Sequence, residues 1–159
     1  MKYTRFDARF CEIILAGNEK GLCHLHLNTG QGKRRFEVSD TWKQDDAFFS
    51  DAREQIQDYF SGKRKRFDLA INPLGTDFQK RVWNELCNIA YGELKSYKEI
   101  ARAIGNENAA RAVGMANSKN PIPLIIPCHR VIGANGNLAG FAHGLDIKKR
   151  LIRFEQATI

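Results

Sequence analysis

Cys128 stands where a thiol could do chemistry. It lies in the run Asn120-Pro121-Ile122-Pro123-Leu124-Ile125-Ile126-Pro127-Cys128-His129-Arg130-Val131-Ile132-Gly133, where three prolines stiffen the approach and a histidine and an arginine follow at once. A cysteine in apolar sequence is ordinarily inert packing. A cationic neighbourhood instead lowers the thiol pKa, raises the thiolate fraction and makes a nucleophile. Adjacency alone does not join Cys128 to His129, because neighbouring side chains point to opposite sides of a strand and do not meet on a helix. A turn or a bridging water has to link them. Glu155 is a second candidate. Ile147, Leu151 and Phe154 mark the inward face of a C-terminal helix, and Glu155 lies four residues beyond Leu151. A carboxylate turned inward needs a cationic or hydrogen-bonded partner. The competing reading is a surface glutamate at a frayed terminus.

The remaining cysteines, Cys11, Cys23 and Cys87, are scattered without a C-x-x-C pair. In a reducing compartment this argues against a disulfide framework. Cys11, Cys23, His24 and His26 invite a metal reading, but their spacing is not that of a finger. Alternation sets Cys23 with Leu25 and Leu27, and His24 and His26 on the other side, so the segment reads as a strand with one buried face and no metal. Cys87, beside Leu86 on a helix, reads as packing. Lys148, Lys149, Arg150 and Arg153 read as a solvated surface able to meet phosphates.

The elements that must position Cys128 fall into two units, 1–72 and 73–159. In the first, residues 11–16 and 21–27 read as strands joined by the turn residues of 17–21. A third strand is expected over 33–38. A helix is expected over 45–60, with Phe48, Phe49, Ala52, Ile56, Tyr59 and Phe60 on one broad face, stopped by Ser61-Gly62. Lys63-Arg64-Lys65-Arg66 reads as a solvated loop, and Asn72-Pro73-Leu74-Gly75 as the connector.

The second unit is mostly helical. Thr76 with Gln79, and Ser96 with Glu99, are capping-box starts. Phe78, Val82, Leu86 and Ile89 recur at helical spacing, and Gly105 ends the helix that carries Ile100, Ala101 and Ile104. A second short helix follows over 109–116, giving a helix-turn-helix. Its residues are small nearly all round, apart from Arg111, Val113 and Met115. Small side chains waste the room of a ~12 Å major groove but suit a ~6 Å minor groove.

Composition agrees with such a partner. The 159 residues are 43% hydrophobic, enough for a core, and the net charge of +7 favours a polyanion. No stretch approaches the ~20 apolar residues of a membrane span. The N-terminus lacks the apolar core of a signal peptide, so a cytoplasmic protein is expected.

From Gly75-Thr76-Asp77-Phe78-Gln79 to Glu155 the chain resembles the O6-alkylguanine-DNA alkyltransferase (methylated-DNA–protein-cysteine methyltransferase) family. The matching pieces are Phe78-Gln79 with Val82-Trp83, Tyr91-Gly92, Ser96-Tyr97, Arg111-Ala112-Val113-Gly114, Asn120-Pro121, Pro127 to Gly133, and Gly140-Phe141. The resemblance implies an α+β protein, with a small ribonuclease H-like α/β unit ahead of a winged-helix or helix-turn-helix unit that carries the cysteine. It implies that Cys128 accepts the alkyl group, that His129 draws off the thiol proton through a water, and that Glu155 orients His129. Arg111 would fill the space of the flipped nucleotide, on a DNA-contacting helix that includes Ala110, Ala112, Gly114 and Met115. Tyr97 would press on the target phosphate and hold the flipped base, and Asn120 would brace the turn before Cys128. Val131 and the 133–142 loop, with Phe141, Ala142 and His143, would line the guanine pocket. The implied partner is double-stranded DNA carrying O6-alkylguanine, bound in the minor groove. No cofactor or metal is implied, and a monomer is expected, compatible with cooperative binding along DNA.

Two departures bear on the pocket. Phe141 stands where many members have tyrosine, and His143 where glycine is common, which predicts a narrower pocket. Two rivals use related parts: a damage-flagging DNA-binding protein without chemistry, which would lack the acceptor cysteine, and a cysteine hydrolase, which would turn over.

Overall fold

The computed structural model describes residues 1–138 and 141–159. The N-terminal unit is a four-stranded sheet in the order β3-β2-β1-β4, formed by β1 (Lys2–Asp7), β2 (Glu12–Asn18), β3 (Gly21–Asn28) and β4 (Lys43–Gln44). The hairpin expected from residues 17–21 is present, with Asn18 paired to Gly21 across a two-residue turn. Gly21 takes φ 133°, a conformation that favours glycine. The first strand was not expected. Only Thr4 and Phe6 of β1 are buried, too short an alternation to read from sequence.

Residues 33–38 form no strand. They run as an irregular segment that lays Phe36 against His24 and His26, with Trp42 stacked on His24. This segment covers the second face of β3, so His26 is buried and His24 half-buried. The expectation of a strand with one buried face is corrected by that cover.

The expected first helix is a short 3-10 turn, Ala47–Phe49, running into α1 (Ser50–Phe60). Ala52, Ile56, Tyr59 and Phe60 are buried on it, whereas Phe48 is exposed. The 63–66 run is a mostly exposed loop, with Arg64 half-buried.

In the C-terminal unit both capping boxes form. Thr76 opens α2 (Asp77–Leu86), and Ser96 opens α3 (Tyr97–Ala103). Each cap contributes about 1 kcal/mol to its helix. Gly105, at φ 84°, ends α3, and Asn106 caps a 3-10 turn that leads into α4 (Ala110–Ser118). The indole Nε1 of Trp83 on α2 donates to the carbonyl of Ala116 on α4, fixing the two helices together. A short parallel pairing joins β5 (Lys95–Ser96) to β6 (Val131–Ile132), and α5 (Leu145–Ala157) closes the chain. One apolar core runs through both units, from Ile13 and Leu25 to Val113, Ile126 and Leu151. No helix among the described residues is long and apolar enough to cross a membrane.

Candidate active site

The segment before Cys128 is held by one side chain. Asn120 donates from Nδ2 to the carbonyl of Ile126 at 2.8 Å, and its Oδ1 accepts from the backbone of Ile122 at 2.9 Å. Ile126 N–H also closes on the Ile122 carbonyl, and Leu124 at the bend takes φ 77°. A leucine in this left-handed region is strained, and the buried packing of Ile122, Leu124 and Ile126 holds it there. Cys128–Arg130 then forms a single 3-10 turn, which sends three consecutive side chains in different directions.

Glu155 gathers the other two. Its Oε2 accepts from His129 Nε2 at 2.7 Å and from Arg130 Nη2 at 2.9 Å, and its Oε1 accepts from Arg130 Nε at 2.8 Å. Gly92 N–H and the Tyr59 hydroxyl complete the set. Arg130 also donates to the Ile89 carbonyl, so its charge faces Glu155. Burial by itself would raise the Glu155 carboxyl, but the hydrogen bonds and charges of His129 and Arg130 outweigh it and hold it well below the usual carboxylate range. His129 is fully buried, and burial pushes its pKa down against the pull of Glu155. A neutral imidazole that donates from Nε2 to a carboxylate keeps a lone pair on Nδ1. That Nδ1 is buried and has no hydrogen-bond partner among the described residues.

The Cys128 thiol itself is pushed up by burial, against the downward pull of Asn120, Lys148 and Arg34. His129 and Arg130, the cationic neighbours expected from the sequence, are not the groups that pull on the thiol: burial outweighs the downward pulls, and the cations that exert them are Lys148 and Arg34. Lys148 is a second correction. It is fully buried, not solvated, and its ammonium donates to the Val131 carbonyl at 2.6 Å. It lies 5.9 Å from the ring centre of Tyr97 and 5.8 Å from that of Phe141, and burial pushes its pKa down to about 8. The β5–β6 pairing sets Ser96 beside Ile132, so half-buried Tyr97 begins its helix next to the Cys128 turn.

The 141–144 segment is braced by the N-terminal unit. Arg34 N–H donates to the Ala142 carbonyl, and the Thr29 hydroxyl donates to that of His143. Arg34 Nη2 reaches the Asn120 carbonyl at 3.3 Å. Gly32 sits so close that a Cβ there would lie 2.4 Å from the Ala142 oxygen. His143 is buried between Phe141 and His26, and burial pushes its pKa down to about 3. Phe141 is buried and Ala142 half-buried. Gly140, with Ala139, lies outside the described residues, so the expected pocket loop over 133–142 is seen only in part.

On α4, Arg111, Ala112 and Met115 are exposed, Ala110 and Gly114 are half-buried, and Val113 and Ala116 turn inward. The exposed face is thus small apart from Arg111 and Met115. Among the described residues no three histidine, cysteine or acidic side chains cluster for a metal. Cys87, expected to pack, is exposed at the C-terminus of α2.

Five contributors went unread in the sequence: Lys148, Tyr59, Arg34, Gly92 and Asn117, whose Nδ2 reaches the Cys128 carbonyl. Lys148 left a signal, because it stands seven residues before Glu155 and so shares its helix face. The others are set by contacts distant in sequence.

The chain matches two family descriptions: "6-O-methylguanine DNA methyltransferase, DNA binding domain" over residues 77–157, and its ribonuclease-like domain over residues 1–73. It is 53% identical to the methylated-DNA–protein-cysteine methyltransferase of Methanosarcina barkeri, covering 100% of this chain and 99% of the other. The Mycobacterium tuberculosis protein of that name is 44% identical over 98% of this chain and 92% of its own length. The crystal structure of Mycobacterium tuberculosis OGT in complex with DNA is similar at TM-score 0.90 and 42% identity, covering 99% of this chain and 94% of that one.

Proposed function

Because the chain belongs to the 6-O-methylguanine DNA methyltransferase family and is a methylated-DNA–[protein]-cysteine S-methyltransferase, we propose that Cys128 accepts the alkyl group, from O6 of guanine in duplex DNA and once per molecule. One observation carries this reading. Cys128 is a buried thiol on the same turn as an imidazole that Glu155 holds by Nε2, leaving Nδ1 as a base.

The steps follow from the residues. His129 takes the thiol proton through a water at Nδ1, and Glu155 stabilises the imidazolium that forms. The Cys128 thiolate attacks the alkyl carbon, a C–S bond forms, and the bond from that carbon to O6 breaks. Guanine leaves with the electron pair and takes a proton from water, and the imidazolium returns the thiol proton to solvent. Lys148 and Arg34 offset the negative charge while it sits on sulfur. A thioether resists water and thiols, so the protein is spent after one transfer. The same displacement is chemically open to O4-alkylthymine, whose alkyl carbon is likewise bonded to an exocyclic oxygen.

The base reaches Cys128 by leaving the stack, at a cost of a few kcal/mol that is least for a damaged, poorly paired base. Helix α4 enters the minor groove, with Arg111 in the vacated space and Ala110, Ala112, Gly114 and Met115 against the backbone. Tyr97 presses on the target phosphate. Asn120 braces the turn, and Val131, Phe141, Ala142 and His143 line the pocket. In this division of labour, residues 73–159 bind and react while residues 1–72 brace the site. The protein acts as a cytoplasmic monomer, compatible with cooperative binding along DNA.

The test is the intact mass of the protein after incubation with a duplex containing O6-methylguanine. The expected result is a gain of one methyl on Cys128, in stoichiometric amount, with guanine restored. Cys128→Ala should bind DNA and gain nothing. Tight binding of the unchanged chain without a mass gain would point to a damage-flagging protein, and repeated turnover to a hydrolase.

A further inference from the structure

We propose that Tyr59, on the last turn of α1 in the N-terminal unit, sets the proton affinity of His129 by competing with it for one oxygen of Glu155. The inference rests on the reading of His129 as the base for Cys128. Glu155 Oε2 accepts from three donors, the Tyr59 hydroxyl at 2.6 Å, His129 Nε2 at 2.7 Å and Arg130 Nη2 at 2.9 Å. Oε1 accepts from Arg130 Nε and Gly92 N–H. Five donors therefore converge on a carboxylate with about four lone-pair sites. Each draws on charge that the others would use, and in a buried site that competition is strong.

The hydroxyl is what distinguishes Tyr59 from a phenylalanine. Its ring is fully buried, edge-on to Phe60 and Tyr91 and tilted on Phe67 and Phe154, and a phenyl ring would make those contacts as well. Burial, and then the charge of Glu155, push the phenol far above its usual range, so it stays a donor. The charged and titratable groups around the pair are Glu155, Arg130 and Tyr91 on the Tyr59 side, and Glu155, Arg130 and Lys148 on the His129 side. Lys65 and Arg130 also lie over the Tyr91 ring.

Tyr59 is thus a positioning residue that acts through Glu155. Without its hydroxyl the carboxylate charge concentrates on the Nε2–H bond, the imidazolium is better stabilised, and His129 becomes a neutral base only at higher pH. The expected displacement, for one hydrogen bond, is about half a pH unit to one unit.

The test uses the full chain with Tyr59→Phe, and with 3-fluorotyrosine at position 59 as a stronger, near-isosteric donor. Two readouts are taken. One is the Nε2–H proton resonance of His129, assigned by its loss in His129→Gln. The other is the pH profile of alkyl transfer from an O6-methylguanine duplex. Tyr59→Phe should move the resonance downfield and the rising limb of the profile, which follows the neutral form of His129, to higher pH, and fluorotyrosine should move both the other way. A residue that only packs would lower stability or the plateau rate and leave both positions unchanged, which overturns the proposal, as does movement in the reverse sense. If Tyr59→Phe does not fold, the fluorotyrosine protein decides. If the unchanged chain transfers nothing, the acceptor reading fails, while the resonance still decides this one.

Discussion

Lys148 and Val131 are joined across the site, the buried ammonium donating at 2.6 Å to the carbonyl of the first residue after the Cys128 turn. The same ammonium pulls the Cys128 thiol down against its burial, so one side chain both fixes the turn and supplies charge.

Lys148→Met should therefore raise the pH at which Cys128 becomes reactive and slow transfer at least tenfold, as expected for the loss of a charged hydrogen bond of about 1.5–3 kcal/mol. Stopped-flow transfer rates against pH check it. The linkage sign is specific. Lys148 titrates near 8 when folded, below its unfolded value, so the unfolded chain binds the extra proton between the two. Stability should rise with pH between about 8 and 10.5 in the unchanged protein, and this rise should be absent from the variant.

Glu155→Gln should cost about 3–5 kcal/mol, because it leaves the Arg130 charge buried without its partner. Urea denaturation at neutral pH measures it. The folded carboxyl lies below its unfolded value, so its contribution is complete above the unfolded value of about 4.3. It is lost only as pH falls through the folded value. The gap between the two proteins should therefore close only in strong acid.

Arg111→Ala should leave stability unchanged, since the side chain is exposed. It should slow transfer from duplex DNA much more than from single-stranded DNA, where there is no stack to open. Equal transfer rates from duplex with and without the arginine would remove it from the flipping step.

Gly32→Ala should slow transfer while DNA affinity is kept. Gly32 sits at φ 78°, and its added Cβ would collide with the Ala142 carbonyl, so the 141–144 segment has to move off its brace. Transfer kinetics beside a DNA titration separate the two effects.

Much of the C-terminal unit was legible because it is written locally. Thr76 with Gln79 and Ser96 with Glu99 state their helix starts within four residues, and Gly105 its stop. The order of motifs around Cys128, and the inward face that carries Glu155, can be read the same way. The N-terminal unit was less legible. Its first strand is short, and the 33–38 segment alternates like a strand yet is held as a cover over His24 and His26 by ring contacts.

By itself the sequence placed His129 after Cys128, an inward-facing position at Glu155 and a helix-turn-helix upstream, and the family resemblance implied that the three residues act together. Only the tertiary structure decided what state they are in. Burial pushes the Cys128 thiol up, and folding turns Lys148 inward and brings the Tyr59 hydroxyl onto Glu155 across 96 residues of chain. The reason is physical. Residue types and spacing specify which groups a segment offers, whereas pKa and hydrogen-bond partners depend on solvent exclusion and on groups that only folding brings near.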